Sequence, residues 1–232
     1  MQRENEINAL ITRARKQLQE IKSEYDKSLH EQKISDLLKV DIKNFCENLR
    51  STLDYLAHTV RETHCPNANA RTRFYFPIFQ NNQSYTSQMS NWYSGLNTAA
   101  PALYQYLESI QPYQQGFEWL GKFNKLNNEN KHGNLVEQTR HEEVKKITAH
   151  SNSSGSEVSW DPSSVRFGAG VHIHSVPVDP STQMPVPSGA QTITKTIWVD
   201  FKFVGIGESA ISLLETSLAG IESIVSEVKK HV

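Results

Sequence analysis

The polar run N-N-E-N-K-H-G at Asn127–Gly133 contains the residue types best suited to chemistry in this chain. An imidazole such as that of His132 can remove or donate a proton near neutral pH. An ammonium group such as that of Lys131 can stabilise developing negative charge, and the amides of Asn127 and Asn128 can orient a ligand. These functions match cleavage of a phosphodiester by a neighbouring 2′-hydroxyl, a reaction that needs no metal.

The same run also has a structural interpretation. A cationic His132 or Lys131 is favourable at the C-terminal end of a helix, where the helix dipole is negative. Asparagine side chains can bond backbone carbonyls, and Gly133 is a typical helix stop. Spacing alone favours the structural interpretation over the catalytic one.

The helix that carries this run is predicted to span residues 117–134. At about 100° per residue, Trp119, Phe123 and Leu126 fall on one side of this helix. Phe117 and Leu120 lie beside them and form the edge of the apolar surface. The Phe117/Leu120 edge is continued by Asn124, Asn127, Asn128 and Lys131. We therefore expect these polar groups to stay inside the protein, where each needs a partner.

A second polar set lies on the helix predicted at residues 34–64. Arg50, Asp54 and His58 follow one another at intervals of four residues and so share one side. A solvent-exposed set of this kind would contribute less than about 1 kcal/mol. Alternatively, a third helix covers this side, Arg50 faces Asn127–His132, and Asp54 holds Arg50 or Lys131. Spacing alone favours the solvent-exposed interpretation.

Apolar stripes with three- and four-residue steps predict two further long helices, at residues 3–29 and 208–230. Between Gly133 and the last helix, the composition changes to Thr, Val, Ser and Gly, and helical periodicity disappears. Strands are predicted at Val144–Ala149, Glu157–Trp160, Arg166–Val176 and Thr192–Val204, with a surface loop at 177–191. The Phe74–Phe79 segment is predicted to be an edge strand or an apolar tether because Pro77 restricts it.

The predicted fold is α+β: a bundle of long antiparallel helices with a small antiparallel β-sheet inserted before the C-terminal helix. We expect a single domain of residues 1–232. Residues 1–133 would form the helical bundle, 134–206 the β insertion, and 207–232 the C-terminal helix that returns to the bundle.

Composition limits the possible partners. The formal charge is −1 and the pI about 6.8, so any RNA binding must use a local patch rather than a global basic field. The sequence contains no apolar run near the ~18 residues of a membrane span, and its first residues lack the apolar core of a signal peptide. On one helix, Cys46 and Cys65 would lie roughly 28 Å apart, too far for a disulfide. These features predict a cytoplasmic protein without membrane association.

Two other sets of residues have competing interpretations. His172 and His174 could bind a metal from one strand face, but no third ligand is evident, so cross-strand packing is favoured and no metal or cofactor is predicted. Several aromatic residues could stack nucleic-acid bases, although packing in the core is the simpler explanation. They are Trp92, Tyr93, Tyr104, Tyr106 and Tyr113.

Asn127–Gly133 resembles the signature segment of the HEPN superfamily, in which an Arg and a polar residue precede a His near a helix end by four to six residues. It also resembles the L-N-N-x-x-K-H stretch of a bacterial branch that pairs it with L-R-S-x-L-D-x-L-A, here Leu49–Ala57. No Arg precedes His132 at the family spacing. Lys125 is seven positions before it, on the outer charged stripe, and Arg50 could replace the missing Arg from the neighbouring helix.

The resemblance implies a helical bundle from prokaryotic defence or toxin–antitoxin systems. Many such proteins are metal-independent endoribonucleases that act as homodimers, some with an antitoxin-like protein partner. His132 would then be the acid/base, Lys131 and Arg50 would stabilise phosphate charge, and Asn127 and Asn128 would orient RNA. The alternative is a non-catalytic HEPN-like module that binds a nucleotide, RNA or a partner protein. The missing Arg and the near-neutral charge favour this alternative.

Overall fold

A computed structural model describes residues 3–31, 34–132 and 138–232. The chain divides into two compact units, Met1–Thr139 with Lys202–Val232, and Arg140–Phe201. The first unit is helical and the second is mostly β-strand. The α+β fold class, with antiparallel strands inserted before the C-terminal helix, is confirmed.

Four long helices form the core of the first unit. They are α1 (Glu4–Glu31), α2 (Asp36–His64), α6 (Glu118–His132) and α7 (Ala210–Val228). A short 3-10 turn, Lys229–His231, follows α7. The helices α1 and α2 pack side by side in antiparallel directions, as their short connection and matched lengths predict. The predicted stripes are buried, from Ile7 and Ile21 on α1 to Leu49 on α2 and Ile221 on α7.

Three shorter helices lie between α2 and α6. They are α3 (Asn82–Trp92), α4 (Leu96–Ala99) and α5 (Pro101–Ser109). Asn81 caps α3, because its side-chain oxygen accepts a hydrogen bond from the Ser84 amide at 2.8 Å. Pro101 occupies the first turn of α5, where its missing N–H has no intrahelical partner to lose.

The segment from Phe74 to Phe79 forms no strand but an irregular connection, which we call the tether. Gln111 is completely buried and holds it at two points. Its Nε2 donates to the Pro77 carbonyl at 3.0 Å, and its Oε1 accepts from the Phe79 amide at 2.9 Å. The Tyr93 hydroxyl donates to the Tyr75 carbonyl at 2.8 Å. These bonds replace the ladder that a strand would have supplied.

The second unit contains most of two small antiparallel sheets. The first has the order β2-β1-β6, and the second has the order β3-β4-β5. The strands are β1 (Gln138–Ser151), β2 (Glu157–Trp160), β3 (His172–Ile173), β4 (Val176–Asp179), β5 (Met184–Pro185) and β6 (Gln191–Phe203). Ile147 pairs with Trp160 between β1 and β2, and both side chains belong to a buried cluster with Ala149, Ile173 and Val178.

Two predictions for this unit were wrong. The long strand expected at Arg166–Val176 is reduced to β3 and the first residue of β4, because His174 and Ser175 both have positive φ, 52° and 61°. They form a two-residue hairpin turn, so His172 and His174 do not share a strand face. The loop expected at 177–191 instead contains most of β4 and all of β5. Within the described ranges, none of the helices is long and apolar enough to span a membrane.

Candidate functional site

Arg50 is a buried arginine in the middle of α2, with only 8% of its surface exposed. Its Nη1 donates to Asn124 Oδ1 on α6 at 3.0 Å. Its Nη2 lies 3.2 Å from Asp54 Oδ1, one turn along α2. The centre of the guanidinium also lies 5.9 Å from the centroid of the Tyr75 ring. A buried guanidinium is stable only with such partners, and here one amide, one carboxylate and one ring provide them.

The side of α2 predicted to carry Arg50, Asp54 and His58 is therefore covered at its first two positions. The Asn124 contact shows that α6 covers Arg50, and the Tyr75 contact shows that the tether does so as well. His58 remains exposed and packs against Phe74, with ring centroids 4.7 Å apart. The structure thus brings Arg50 and Asp54 together with α6 and leaves His58 outside this group.

A cavity of about 280 Å³ lies beside Arg50. Its lining combines one positive and one negative side chain, two amides and four apolar or aromatic groups. They are Arg50, Asp54, Tyr75, Phe76, Ile78, Trp92, Asn124 and Asn128. The rings of Tyr75 and Trp92 meet edge to face, with centroids 6.0 Å apart, and Tyr75 is 47% exposed. We refer to this cavity as the Arg50 pocket.

The contacts of Arg50 fix the polar groups of the pocket. Because Asn124 Oδ1 accepts from Arg50, the Nδ2 group of Asn124 faces away from the guanidinium and remains a donor. The Asp54 side chain is one-third exposed, although its Oδ1 is shielded from solvent beside Arg50. The pocket can therefore offer a carboxylate acceptor and an amide donor from two neighbouring helices.

The asparagines of α6 separate into two environments. Asn127 is completely buried, and neither atom of its amide has a hydrogen-bond partner among the described residues. Asn128 is exposed and lines the Arg50 pocket. The expectation that the polar edge stays inside holds for Asn127 and was wrong for Asn128. The reason is that one further residue rotates the helix by about 100°, toward the charged stripe of Lys125 and Glu129.

Lys131 and His132 belong to the last turn of α6, but their side chains lie outside the described residues. Their predicted roles, and the predicted proximity of Arg50 to His132, therefore stay predictions. Asn128 and His132 are four residues apart on one helix, which places both positions on the same face.

The sequence does not indicate Tyr75, Phe76 or Ile78 as lining residues, nor Asn124 as the partner of Arg50. The signal it contains is the aromatic run F-Y-F-P-I-F, which predicts a strand or tether. Trp92 is one of the aromatic residues that could stack nucleic-acid bases. Tyr93 positions Tyr75, because its hydroxyl donates to the Tyr75 carbonyl. Burial raises the pKa of Tyr93 well above its usual value, and the Asp54 charge is a lesser cause.

Metal ligands and cysteine thiols add no further site among the described residues. Across the parts of the chain that the structure describes, no three His, Cys, Asp or Glu side chains form a cluster that could hold a metal. Cys46 and Cys65 are both buried and unpaired. Burial raises the pKa of the Cys46 thiol far above neutral pH, so it is not a reactive nucleophile.

No family model, curated protein or solved structure matches this chain. The resemblance to the HEPN superfamily therefore depends on Leu49–Ala57 and Asn127–Gly133. In the structure, Leu49–Ala57 lies on α2 and the described part of the second stretch, Asn127–His132, lies on α6. These two helices meet through Arg50 and Asn124.

Proposed function

We propose that this chain is a HEPN-like RNA-acting protein that holds one nucleotide of a single-stranded RNA in the Arg50 pocket. The observation that supports this proposal is the combination of a fixed Arg50–Asp54 pair with the Tyr75 and Trp92 rings around one cavity. Proteins that recognise single-stranded RNA stack unpaired bases on aromatic rings and bond their edges with polar side chains. The pocket supplies both kinds of group.

The size of the pocket favours one nucleotide over a larger ligand. Its volume of about 280 Å³ is just below the range of roughly 300–1,000 Å³ that is typical of small-molecule sites. The formal charge of −1 also favours local recognition, since the protein as a whole does not attract a polyanion. Binding would therefore depend on the pocket rather than on long-range attraction.

Binding without catalysis is the function that the geometry favours. Both terminal nitrogens of Arg50 already contact protein groups, Asn124 Oδ1 and Asp54 Oδ1. An arginine held in this way orients its neighbours and is poorly placed to follow the changing charge of a reacting phosphate. We therefore assign Arg50 a positioning role in the proposed binding site.

A metal-independent endoribonuclease is the second candidate, and the direction of α6 favours it. Asn128 lines the pocket, and His132 follows one helical turn later on the same face. An RNA strand that leaves the pocket along α6 would pass the end of the helix, where His132 could act as acid/base and Lys131 could stabilise charge. The family resemblance adds a homodimer and a role in prokaryotic defence to this proposal.

RNA binding by the Arg50→Met variant tests the main proposal. Fluorescence anisotropy with a short unstructured RNA should show affinity at least about tenfold lower than that of the wild type, because Asp54 and Asn124 lose the guanidinium that holds them in place. Arg13→Met, at a half-exposed arginine of α1, should bind RNA like the wild type. Equal binding by all three proteins would contradict the proposal.

Cleavage of RNA in the presence of a chelator tests the second candidate. The wild type should cleave and the His132→Ala variant should not, while both keep the same affinity for a non-cleavable RNA. Cleavage by both proteins, or by neither, would remove the endoribonuclease and leave the binding function.

A further inference from the structure

Resting on the RNA-binding function proposed above, we infer that the Arg50 pocket is a guanine-specific subsite. The inference depends on three groups of the pocket: the Asp54 carboxylate, the Asn124 amide and the Tyr75–Trp92 ring pair. Each group is matched by one feature of guanine, and no other RNA base matches all three.

The Asp54 carboxylate selects for a base edge with donors. An ionised carboxylate has only acceptor sites, so an acceptor atom of the ligand placed against it is repelled. Guanine presents N1–H and the N2 amino group side by side on its Watson–Crick edge. Adenine and cytosine each place a ring acceptor beside their amino group, and uracil has one N–H between two carbonyls. Because Asp54 Oδ1 is shielded beside Arg50, the other carboxylate oxygen, on the exposed part of the side chain, would meet such an edge and accept from both donors.

The Asn124 amide selects for a carbonyl next to those donors. Its Oδ1 accepts from Arg50 Nη1, so its Nδ2 faces away from the guanidinium and is the donor that can meet a ligand. The O6 atom of guanine is an acceptor adjacent to N1–H, which gives an edge that is complementary to a carboxylate and an amide donor. Arg50 contacts Asp54 and Asn124 at 3.2 and 3.0 Å, and so it holds the two selecting groups in a fixed relation.

The ring pair supplies a surface on which a base can stack. Tyr75 is 47% exposed and lines the pocket with Trp92, so a planar ligand can lie against aromatic surface. Stacking on such a surface contributes about 1–3 kcal/mol per base without reading its edge. The rings thus bind a base, and the polar groups decide which base it is.

The experiment compares short RNAs of uridines that differ only at one central position: guanosine, inosine, adenosine or uridine. Inosine lacks only the N2 amino group of guanosine. The folded wild-type protein should bind the guanosine RNA about tenfold or more tightly than the inosine RNA, because a lost paired donor at a base edge costs this much. This comparison requires no variant, so it does not depend on whether a substituted protein folds.

The Asp54→Asn variant provides a second measurement. An asparagine offers one acceptor and one donor, which suits adenine better than guanine. The variant should lose the preference for guanosine over inosine, and its affinity for the adenosine RNA should rise relative to the guanosine RNA. Asp36→Asn, at an exposed aspartate on the same helix, should keep the wild-type preference.

The outcomes separate this inference from the function on which it rests. Equal wild-type binding of the guanosine and inosine RNAs would overturn guanine specificity and leave RNA binding intact. Failure of the folded wild type to bind any of the four RNAs would overturn both. A guanosine preference that survives in Asp54→Asn would show that another group reads the base and would contradict the role of Asp54.

Discussion

Arg50 Nη1 on α2 donates to Asn124 Oδ1 on α6 across 3.0 Å, and this bond joins the two helices at the polar wall of the Arg50 pocket. The two residues are 74 positions apart in the chain. Because the bond uses the oxygen of the amide, it also determines which end of Asn124 can meet a ligand. This hydrogen bond therefore affects both the packing of α2 against α6 and the group that Asn124 presents to a ligand. Substitutions at Asn124 can separate these two effects.

The Asn124→Asp variant should lose RNA affinity while it keeps its stability. A carboxylate at this position still accepts from Arg50, and more strongly, because both partners are then charged. It loses the amide donor and adds a negative charge beside a phosphate-bearing ligand. We expect affinity to fall by about tenfold or more, with a midpoint of thermal unfolding close to that of the wild type.

The control for this prediction is Asn97→Asp, which makes the same chemical change at an exposed position of α4. Asn97→Asp should change neither the RNA affinity nor the midpoint of thermal unfolding. An Asn124→Asp protein that binds RNA as tightly as Asn97→Asp would contradict the assignment of Asn124 Nδ2 as a ligand donor.

The helices and one half of the site could be predicted from the sequence. Apolar stripes identify a helix wherever burial follows the helical period, as on α1, α2 and α7. The Arg50–Asp54 pair follows from four-residue spacing on one helix. Neither prediction needs knowledge of how distant segments meet.

The other half of the site could not be predicted in this way, because it depends on tertiary contacts. Tyr75 lines the pocket only because Gln111 and Tyr93 hold the tether in place from distant positions. The second unit shows a related difficulty within one short turn, whose residue types do not predict it. The turn at His174 and Ser175 has the positive φ values of a hairpin that usually contains Asn or Gly, so its residues gave no turn signal.

Replacing Gln111 should destabilise the protein and weaken the pocket. Its completely buried side chain donates to the Pro77 and Leu107 carbonyls and accepts from the Phe79 amide. Gln111→Met keeps the length of the side chain but removes these bonds, which leaves buried tether groups without partners. The expected loss is about 2–4 kcal/mol in the free energy of unfolding, measured by urea denaturation.

A matched control for Gln111→Met is Gln83→Met, at an exposed position of α3. This change should alter the free energy of unfolding by less than about 0.5 kcal/mol. Since Phe76 and Ile78 lie in the tether and line the pocket, Gln111→Met should also bind RNA more weakly. A Gln111→Met protein as stable as Gln83→Met would show that the tether is held by other contacts.

Gly220→Ala should destabilise α7 against α6, although alanine is the better helix former. In an exposed helix, this change would contribute up to about 1 kcal/mol of stability. Here a Cβ at position 220 would lie 2.2 Å from Trp119 Cζ2, far inside van der Waals contact. We expect a net loss of about 1–3 kcal/mol in the free energy of unfolding, as in other overpacked interfaces.

A double-mutant cycle with Trp119→Leu identifies the cause of this loss. If the indole is the obstacle, Trp119→Leu should cost less in the Gly220→Ala background than in the wild type, with a coupling of at least about 0.5 kcal/mol. Additive losses would place the effect of Gly220→Ala elsewhere in the helix.

Two buried tyrosines, Tyr85 and Tyr93, and the half-buried Tyr106 should make the fold sensitive to alkaline pH. Burial raises the pKa of Tyr106 to about 12, and it raises the pKa values of Tyr85 and Tyr93 well above the ordinary value of a tyrosine. A phenol is neutral when protonated. The folded state therefore retains these protons at a pH where the unfolded chain, with an ordinary pKa of about 10, has released them. Stability is fully present below about pH 10 and falls as the pH rises through the folded pKa values.

Because stability falls as the pH rises through these pKa values, unfolding and ionisation of the three tyrosines should coincide at high pH. Tyrosinate absorbance should show a first group of phenols that ionise near pH 10, and a second group that ionises only as the helical circular dichroism is lost. In Tyr93→Phe, the second group should contain one phenol fewer, and stability should fall less steeply above about pH 10, because one raised pKa has been removed. At neutral pH, the same variant should be less stable by about 1 kcal/mol, since the bond to the Tyr75 carbonyl is lost. Ionisation of every tyrosine near pH 10 with the dichroism intact would contradict the effect of burial on these three phenols.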